Sequence, residues 1–292
     1  MPELPDLAVY LERLQAKVQG RVLRRVQVLN AFVLRTAVPP IGSAEGRTVT
    51  AVQRVGKRIV LVLDSGACLV LHLMIAGRLR WLPPGAKPPA KLSLAAFTFD
   101  DGTLVFTEAG TTRRASLHLL ADAEALRATD PGGLEVIGCA MSDFAQRLRG
   151  ENHTLKRALT MPQLFAGIGN AYSDEILHRA RLSPVMLTRS MSDPDIARLH
   201  AAVQAVLTEW TARLRAEAGD WPDKVTAFHP AMAVHGRYGQ PCPDCGAPVQ
   251  RIVHADNESN YCARCQTGGK LLADRALSRL LKQSWPKHID DL

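Results

Sequence analysis

The sequence lacks any apolar run that approaches the roughly 20 residues needed to cross a bilayer as a helix. Its N-terminus, MPELPDLAVY, lacks the basic and apolar stretches of a secretory signal, so we expect the protein to remain in the cytoplasm. Internal repeats and low-complexity tracts are absent too. These absences argue against membrane-spanning, secreted and repeat proteins and favour a soluble globular protein.

The four tryptophans are too scattered to indicate a base-stacking platform, and the histidines lack the spacing of metal ligands. Hydrophobic residues, in contrast, make up 47% of the 292 residues, which is enough for two domains with a sizeable core. Lysine and arginine exceed aspartate and glutamate by 36 to 28, which gives a net charge of +8 and a pI near 9.4. This balance favours a polyanionic partner, of which nucleic acid is the commonest.

The six cysteines fall into two groups. Cys68 and Cys139 stand alone in apolar surroundings, and we expect them to be small buried hydrophobic residues. The other four form two CxxC pairs separated by 16 residues: Cys242 with Cys245, and Cys262 with Cys265. Four thiolates at this spacing predict one structural Zn²⁺ in a closed tetrahedral site, with room for a β-hairpin between the pairs. An iron–sulfur or redox site is the alternative.

The secondary-structure signals change along the chain. A helical pattern from Asp6 is followed by short β-rich segments, which indicate a β-sandwich or barrel with a leading helix. Helical patterns follow the turn signal DPGG at 130–133, including a helix over 141–149 that we expect Ser142 to cap. We therefore predict an α+β protein with an N-terminal β-sandwich (1–125), a helical domain (126–235), a four-cysteine zinc finger (236–268) and a basic tail (269–292) with a final helix.

Pro2 follows the initiator methionine, which is usually removed when the second residue is small. A free N-terminal proline is a secondary amine, and α-amino groups titrate near 8, so this nitrogen can be neutral and nucleophilic near pH 7. Glu3 supplies an adjacent carboxyl group for proton transfer. The start Met-Pro-Glu is common, so by itself it does not indicate a nucleophilic N-terminus.

A second motif, GIGN at 167–170, precedes the helical pattern AYSDEIL. Two glycines allow the backbone to approach a ligand closely, and the amides of a helix start together with the side chain of Asn170 suit a phosphate. A purely structural helix–helix turn is the alternative.

In combination these motifs resemble the formamidopyrimidine-DNA glycosylase/endonuclease VIII family. The family's start, basic segment, GIGN motif and zinc finger have counterparts here in the same order: PELPD, VGKR at 55–58, GIGNAYSDEIL and HGRYGQPCPDC…YCARCQ. The resemblance covers nearly the whole chain, from Pro2 to Gln266. It implies a helix–two-turn–helix in the helical domain and damaged DNA as the partner, bound by a monomer in the cleft between the two domains.

The resemblance also implies roles for individual residues. Pro2 would form a Schiff base with C1′ of the damaged nucleotide, and Glu3 would move protons during base loss and strand cleavage. Lys57 and Asn170 would contact phosphates beside the lesion, although Lys57 is also compatible with an ordinary surface lysine. The lesion would leave the duplex, because C1′ is unreachable inside the stack.

Several positions depart from the family pattern. Asp6 is one methylene shorter than the family's glutamate, and Asn152-His153 stands where lysine is frequent. The finger arginine is replaced by Asn257, between Asp256 and Glu258, which would repel a phosphate backbone.

The residues that would fill the gap left by a flipped base also differ. The family's HLGMSG is HLMIAG here, so Met74 or Ile75 would be the apolar wedge, with a buried strand residue as the alternative. The family's DPRRFG segment is absent, and Arg113 or Arg114 would act on the opposite strand without an aromatic partner. We therefore expect weak discrimination of the base opposite the lesion, and a preferred substrate other than 8-oxoguanine.

The predicted function is that of a bifunctional DNA glycosylase and AP lyase with one structural Zn²⁺. A non-catalytic protein that binds damaged DNA on the same scaffold is the main alternative, since the altered finger and wedge would suit it. A zinc-ribbon protein that acts on RNA leaves PELP and GIGN unexplained. A catalytic metalloenzyme is disfavoured because four thiolates fill the coordination sphere.

Overall fold

A computed structural model describes residues 1–110, 112–254, 257–273, 279–281 and 286–291, with only the backbone described at 254 and 257. The chain divides into two compact units. Unit 1 comprises Met1–Pro131 and Trp210–Thr226, and unit 2 comprises Gly132–Glu209 and Ala227–Leu292. Among the described residues, no helix is both long enough and apolar enough to cross a membrane.

Unit 1 is a β-sandwich with a leading helix, as predicted. Its first sheet has the order β1-β6-β7-β5 and its second the order β2-β3-β4-β8, and all neighbouring strands are antiparallel. The elements are α1 (Leu4–Val18), β1 (Arg25–Val28), β2 (Val49–Val55), β3 (Arg58–Leu63), β4 (Cys68–His72), β5 (Gly77–Leu82), β6 (Ser93–Phe99), β7 (Gly102–Glu108), β8 (Ser116–Leu120) and α2 (Ala123–Arg127).

The main core of unit 1 lies between the two sheets and helix α1. The helix contributes one apolar face with helical spacing: Leu7, Tyr10, Leu14 and Val18. Strands β3 and β4 read as continuous apolar runs because their other face is buried as well, under Leu126 of α2. Cys68 belongs to this second cluster and is buried, as predicted.

Unit 2 is helical up to residue 209. Its helices are α3 (Met141–Arg149), α4 (Leu155–Thr160), α5 (Asn170–Ala180), α6 (Asp193–Glu217) and α7 (Ala263–Thr267). From Trp210 onward α6 belongs to unit 1. The strands are the short β9 (Leu134–Glu135) and β10 (Phe165–Ala166), and the hairpin of β11 (Gln250–His254) and β12 (Asn257–Tyr261). The prediction that Ser142 caps α3 is wrong. The helix begins at Met141 with Ala140 as its N-cap, two residues before Ser142, so Ser142 lies inside the first turn.

The C-terminal ribbon has its own small core, formed by residues that include Val249, Ile252 and Tyr261. Ile289 belongs to this core, and its amide donates to the Gly269 carbonyl at 2.8 Å. Part of the tail therefore packs on the ribbon. The predicted final helix falls mainly on residues 274–278 and 282–285, which lie outside the described residues.

The turn between β4 and β5 leaves no room for a side chain at Gly77. A Cβ atom there would lie 2.1 Å from the backbone oxygen of Leu73, and the Gly77 amide already donates to that oxygen at 2.8 Å. We expect Gly77→Ala to lower the free energy of unfolding of unit 1 by about 2–3 kcal/mol, because the backbone has to move. Urea denaturation followed by tryptophan fluorescence measures this, since Trp81, Trp210 and Trp221 lie in unit 1.

Gly42→Ala is the matched control, because a Cβ at Gly42 meets nothing within 4 Å. Equal midpoints for the two variants would show that the turn adapts without cost.

Candidate functional site

The N-terminus of unit 1 is buried where helix α1 begins. Glu3 is the N-cap residue, and its backbone N–H donates to a carboxylate oxygen of Asp6 at 2.8 Å. Pro5 lies in the first turn, where a missing N–H costs nothing. Pro2, Glu3 and Asp6 are all buried. The sequence PELPD therefore fixes the main chain at its first residues and withdraws it from water.

The terminal amine, carried by Met1 in this structure, lies in a charged but poorly hydrated environment. Burial lowers its pKa below the ordinary value of 8.0, because a charged ammonium is disfavoured out of water. Glu3 and Asp6 oppose this shift, whereas Arg78 and Lys57 add to it. An amine in this setting is neutral, and hence nucleophilic, at a lower pH than an exposed one.

Asp6 has a strongly perturbed carboxyl group. Burial raises its pKa from 3.8 to about 7, and the nearby Glu3 charge adds to the rise. The hydrogen bond from the Glu3 amide and the positive terminus oppose it. The shorter side chain thus keeps a capping role and also places a second titratable group beside the amine.

Arg78 is a residue that the sequence did not single out. Its Nε donates to the Val225 carbonyl at 2.8 Å, and one terminal nitrogen lies 3.1 Å from the Ile75 carbonyl. The Trp221 indole similarly donates to the Leu79 carbonyl at 3.0 Å. These contacts hold the segment 221–225 against strand β5. Because Val225 and Trp221 are more than a hundred residues from their partners in sequence, no local pattern could have indicated these two contacts.

The same segment and helix α1 line a cleft of about 460 Å³ in unit 1. Its lining residues include the acidic Asp6 and Asp223, the basic Lys224, and the apolar Val9 and Trp221. A cleft with an aromatic wall and a few polar groups is typical of a small-molecule or base-sized ligand.

Lys57 lies in the two-residue turn between β2 and β3, where Val55 pairs with Arg58. Gly56 adopts the left-handed conformation that this turn requires, with φ of 57°. The side chain of Lys57 is half-buried, and its charge lowers the pKa of the terminal amine. The structure therefore places Pro2, Glu3 and Lys57 in one electrostatic neighbourhood of unit 1.

The candidate wedge lies in the turn between β4 and β5. Met74 is half-buried and has a φ of 50°, an unusual conformation for a residue other than glycine. Ile75 is the more exposed apolar side chain, with 59% of its surface accessible. Of the two candidates, Ile75 is thus the one that presents a large apolar group to solvent.

Arg113 and Arg114 are exposed on the loop between β7 and β8. Arg113 donates to the Lys91 carbonyl at 3.0 Å, and the buried carboxylate of Glu108 accepts the backbone amides of Arg114 and Ala115 at 3.0 and 3.1 Å. The anchored backbone leaves the guanidinium of Arg114 at the surface.

In unit 2, Asn170 is the first residue of α5, preceded by Gly169 as N-cap and by Gly167 with φ of 84°. Its side-chain amide donates to the Glu258 carbonyl on β12 at 3.0 Å. Lys156 donates to the Asn170 carbonyl at 2.6 Å. The GIGN turn therefore combines two glycines with a helix start, and the Asn170 side chain and carbonyl are held by Glu258 and Lys156.

The acidic pair of the YSDEIL motif, Asp174 and Glu175, makes buried contacts that the sequence pattern does not indicate. Asp174 is fully buried and pairs with Lys156 at 2.6 Å and with Nδ1 of His235 at 2.8 Å. Glu175 accepts the backbone amides of residues 233–235 at 2.8–2.9 Å. Two acids inside an apolar helix indicate buried partners, but not which ones.

The four predicted ligand cysteines meet in the ribbon. Their sulfurs all lie within 4.8 Å of one another, with 3.9 Å between Cys242 and Cys265 and 3.4 Å between Cys245 and Cys262. Tetrahedral zinc with bonds of about 2.3 Å requires sulfur–sulfur separations of roughly 3.8 Å. The site therefore fits one structural Zn²⁺, as predicted, and its four thiolates leave no position for a catalytic water.

The position of the missing finger arginine lies on the ribbon hairpin, where the backbone of Asn257 pairs with that of His254. Asp256 and the side chain of Asn257 lie outside the described residues. Nearby, Arg251 packs over the Tyr238 ring at 4.3 Å and lies 3.4 Å from the Glu258 carboxylate.

Comparison with known proteins identifies the family to which this chain belongs. Three family descriptions match the chain: the formamidopyrimidine-DNA glycosylase N-terminal domain over residues 1–115, the formamidopyrimidine-DNA glycosylase H2TH domain over 136–216, and the zinc finger found in FPG and IleRS over 239–268. The formamidopyrimidine-DNA glycosylase of Thermus thermophilus is 34% identical over 279 residues, which cover 92% of this chain and all of that protein. The chain belongs to the formamidopyrimidine-DNA glycosylase family.

Other members of the family are similar in part or in fold. A formamidopyrimidine-DNA glycosylase-like protein of Mycobacterium tuberculosis is 41% identical over 157 residues, 53% of this chain and 96% of that protein. The crystal structure of MutM (Fpg) from Thermus thermophilus has a TM-score of 0.76 and 32% identity, covering 91% of this chain and 98% of that one. Lactococcus lactis Fpg bound to DNA containing an abasic site has a TM-score of 0.81 at 23% identity, covering 91% and 99% of the two chains, and shows the shared fold.

The raised pKa of Asp6 predicts a specific pH dependence of stability. Between 3.8 and about 7 the folded protein holds a proton on Asp6 that the unfolded chain has lost, so the free energy of unfolding falls as pH rises through this window. Asp6→Asn keeps an oxygen acceptor for the Glu3 amide and removes the titration. We expect wild type to lose stability relative to this variant by up to about 1.4 kcal/mol per pH unit. Urea midpoints across the window measure it, and parallel pH profiles would contradict it.

Removal of zinc should unfold the ribbon and leave unit 1 intact. The ribbon core is small, and structural zinc sites contribute about 10–16 kcal/mol of apparent binding free energy to folding. After chelation at neutral pH, we expect amide hydrogen exchange to accelerate strongly in peptides from 239–268, while peptides from β3 and β4 serve as the internal control. Ribbon peptides that stay protected without zinc would show that their fold does not need the metal.

Proposed function

We propose that the protein is a bifunctional DNA glycosylase and AP lyase of base excision repair that uses the nitrogen of Pro2 as its nucleophile. The observation that carries the proposal is the geometry at the start of α1, where Pro2, Glu3 and Asp6 are all buried and the Glu3 amide is held by the Asp6 carboxyl. Burial also lowers the pKa of the amine of the preceding residue, Met1, on which the charges of Glu3, Asp6, Arg78 and Lys57 act as well. A protein that only binds DNA has no need of an amine held in this way. The names of the similar proteins, formamidopyrimidine-DNA glycosylases, support the glycosylase assignment.

In the proposed reaction, removal of Met1 exposes Pro2 as a neutral secondary amine. Its lone pair attacks C1′ of the damaged nucleotide while the bond to the base breaks, and the base leaves with the bonding electron pair. The nitrogen, now a charged ammonium, gives up its hydrogen as a proton, which balances the proton that the departing base takes up. Glu3 protonates the sugar ring oxygen, the ring opens, and an iminium forms between Pro2 and C1′. The iminium acidifies a C2′ hydrogen, whose loss as a proton expels the 3′ phosphate (β-elimination). Loss of the C4′ proton from the conjugated iminium then expels the 5′ phosphate (δ-elimination), and water hydrolyses the iminium to release Pro2.

The remaining predicted residues take binding roles in this proposal. Lys57 and Asn170 hold phosphates, Arg113 or Arg114 contacts the opposite strand, and Met74 or Ile75 fills the gap in the stack. The greater exposure of Ile75 supports Ile75 as the wedge. Asn257 would contact DNA without the charge of an arginine. The displaced base would enter the cleft lined by Asp6 and Trp221.

Borohydride trapping on an oligonucleotide with an abasic site tests the chemistry. We expect a covalent adduct whose peptide map places the sugar on the nitrogen of Pro2, with mass spectrometry of the free protein confirming loss of Met1. Glu3→Gln should slow base release and strand cleavage by about 100-fold or more, because proton transfer is lost. An adduct on a lysine would contradict the role of Pro2. No adduct from correctly processed protein would favour the non-catalytic binding protein instead.

Lesion choice is tested with a panel of duplexes that differ in the damaged base and in the base opposite. Without an aromatic beside Arg113 and Arg114, we expect cleavage rates that vary little among the four opposing bases. We also expect slow excision of 8-oxoguanine relative to other lesions. Rates that differ strongly with the opposing base, or rapid excision of 8-oxoguanine, would contradict these two expectations.

A further inference from the structure

His178 is a buried histidine to which neither the zinc ligand set nor the proposed reaction gives a role. It lies on α5, is 4% exposed, and places its Nε2 atom 3.3 Å from the sulfur of Cys242. The same atom is 3.9 Å from the carboxylate of Asp244, inside the first CxxC knuckle. A histidine with this contact belongs to the surroundings of the metal rather than to the apolar core.

The chemistry of the contact fixes which atom carries the hydrogen. A zinc-bound cysteine is a thiolate, which has lone pairs and no proton to give. Nε2 must therefore be the donor, and the ring must be the tautomer with hydrogen on Nε2. Four thiolates around Zn²⁺ carry a net charge of −2, and hydrogen bonds to the sulfurs disperse this charge in a site with little water.

The residues that follow His178 at the C-terminal end of α5 also contact the ribbon. Gln266 donates its side-chain amide to the Leu182 carbonyl just after the helix and accepts the backbone amide of Cys262. Arg181 pairs with Asp244 at 3.1 Å. Through His178 and Gln266, the end of α5 therefore contacts one cysteine of each CxxC pair.

We propose that His178 is an outer-shell ligand of the zinc centre: it donates its Nε2 hydrogen to the Cys242 thiolate and thereby strengthens zinc binding. The proposal concerns the metal site and is independent of the Pro2 chemistry. In metalloproteins, loss of such an outer-shell hydrogen bond typically weakens metal affinity about 10–100-fold.

Two substitutions separate hydrogen bonding from packing. His178→Phe keeps a ring in the buried space and removes the donor, so we expect zinc affinity to fall by about 10–100-fold in competition with a chromogenic chelator. His178→Gln places an N–H near the position of Nε2 and should restore affinity to within about threefold of wild type. Arg181→Ala, which removes the exposed ion pair to Asp244, is the matched control and should change affinity little.

Substitution of cobalt for zinc gives a spectroscopic test, because the energy of the thiolate-to-cobalt band responds to the hydrogen bond and not to packing alone. A hydrogen bond stabilises the sulfur lone pairs, so its loss in His178→Phe should shift the thiolate-to-cobalt charge-transfer band to lower energy, and His178→Gln should restore it. In the wild-type protein, nitrogen NMR should find the His178 proton on Nε2 when zinc is bound, which tests the proposal even if a variant does not fold.

Wild-type zinc affinity and an unshifted cobalt spectrum in His178→Phe would overturn the proposal. So would equal defects in the phenylalanine and glutamine variants, or a wild-type tautomer with its hydrogen on Nδ1.

Discussion

The hydrogen bond from the Glu3 amide to the Asp6 carboxylate fixes the position of the N-terminal residues at the start of helix α1. It closes the first turn of α1, whose apolar face then packs into the sandwich core through residues such as Leu7 and Tyr10. With the helix fixed, the terminal amine is buried beside Glu3, Arg78 and Lys57, and its pKa falls. Chain termini are normally exposed, whereas here the first residues of the chain are withdrawn from water.

In unit 2, a pair of buried acidic residues fixes helix α5 to the segment that precedes the zinc ribbon. Asp174 and Glu175 sit side by side on α5 and bind His235 and the backbone amides of 233–235, which lead into the zinc ribbon. Breaking such buried contacts would leave uncompensated charge, which is strongly destabilising. The helix that carries Asn170 at its start is thus tied to the ribbon along its length, and the zinc site lies at the end of this series of contacts.

Much of this arrangement could be predicted because its signals are local or strongly patterned. Two regularly spaced CxxC pairs favour a four-thiolate zinc site, and successive β-rich segments favour a sandwich or barrel; the zinc site and the sandwich are both confirmed. The roles of Arg78, Asp174 and His178 could not be predicted, because each acts through a partner distant in sequence. The misplaced cap at Ser142 has a different cause: serine is favoured both at a cap and in the first turn, and only the backbone path decides between them.

The most direct test of the central claim is a titration of the Pro2 nitrogen in the processed protein, followed by NMR of isotope-labelled proline and compared with a free peptide of the same first residues. We expect a pKa below that of the peptide, since burial disfavours the charged amine and the nearby cations reinforce the effect. A pKa equal to or above that of the peptide would mean that the fold does not activate the terminal nitrogen, and would contradict its role as the nucleophile.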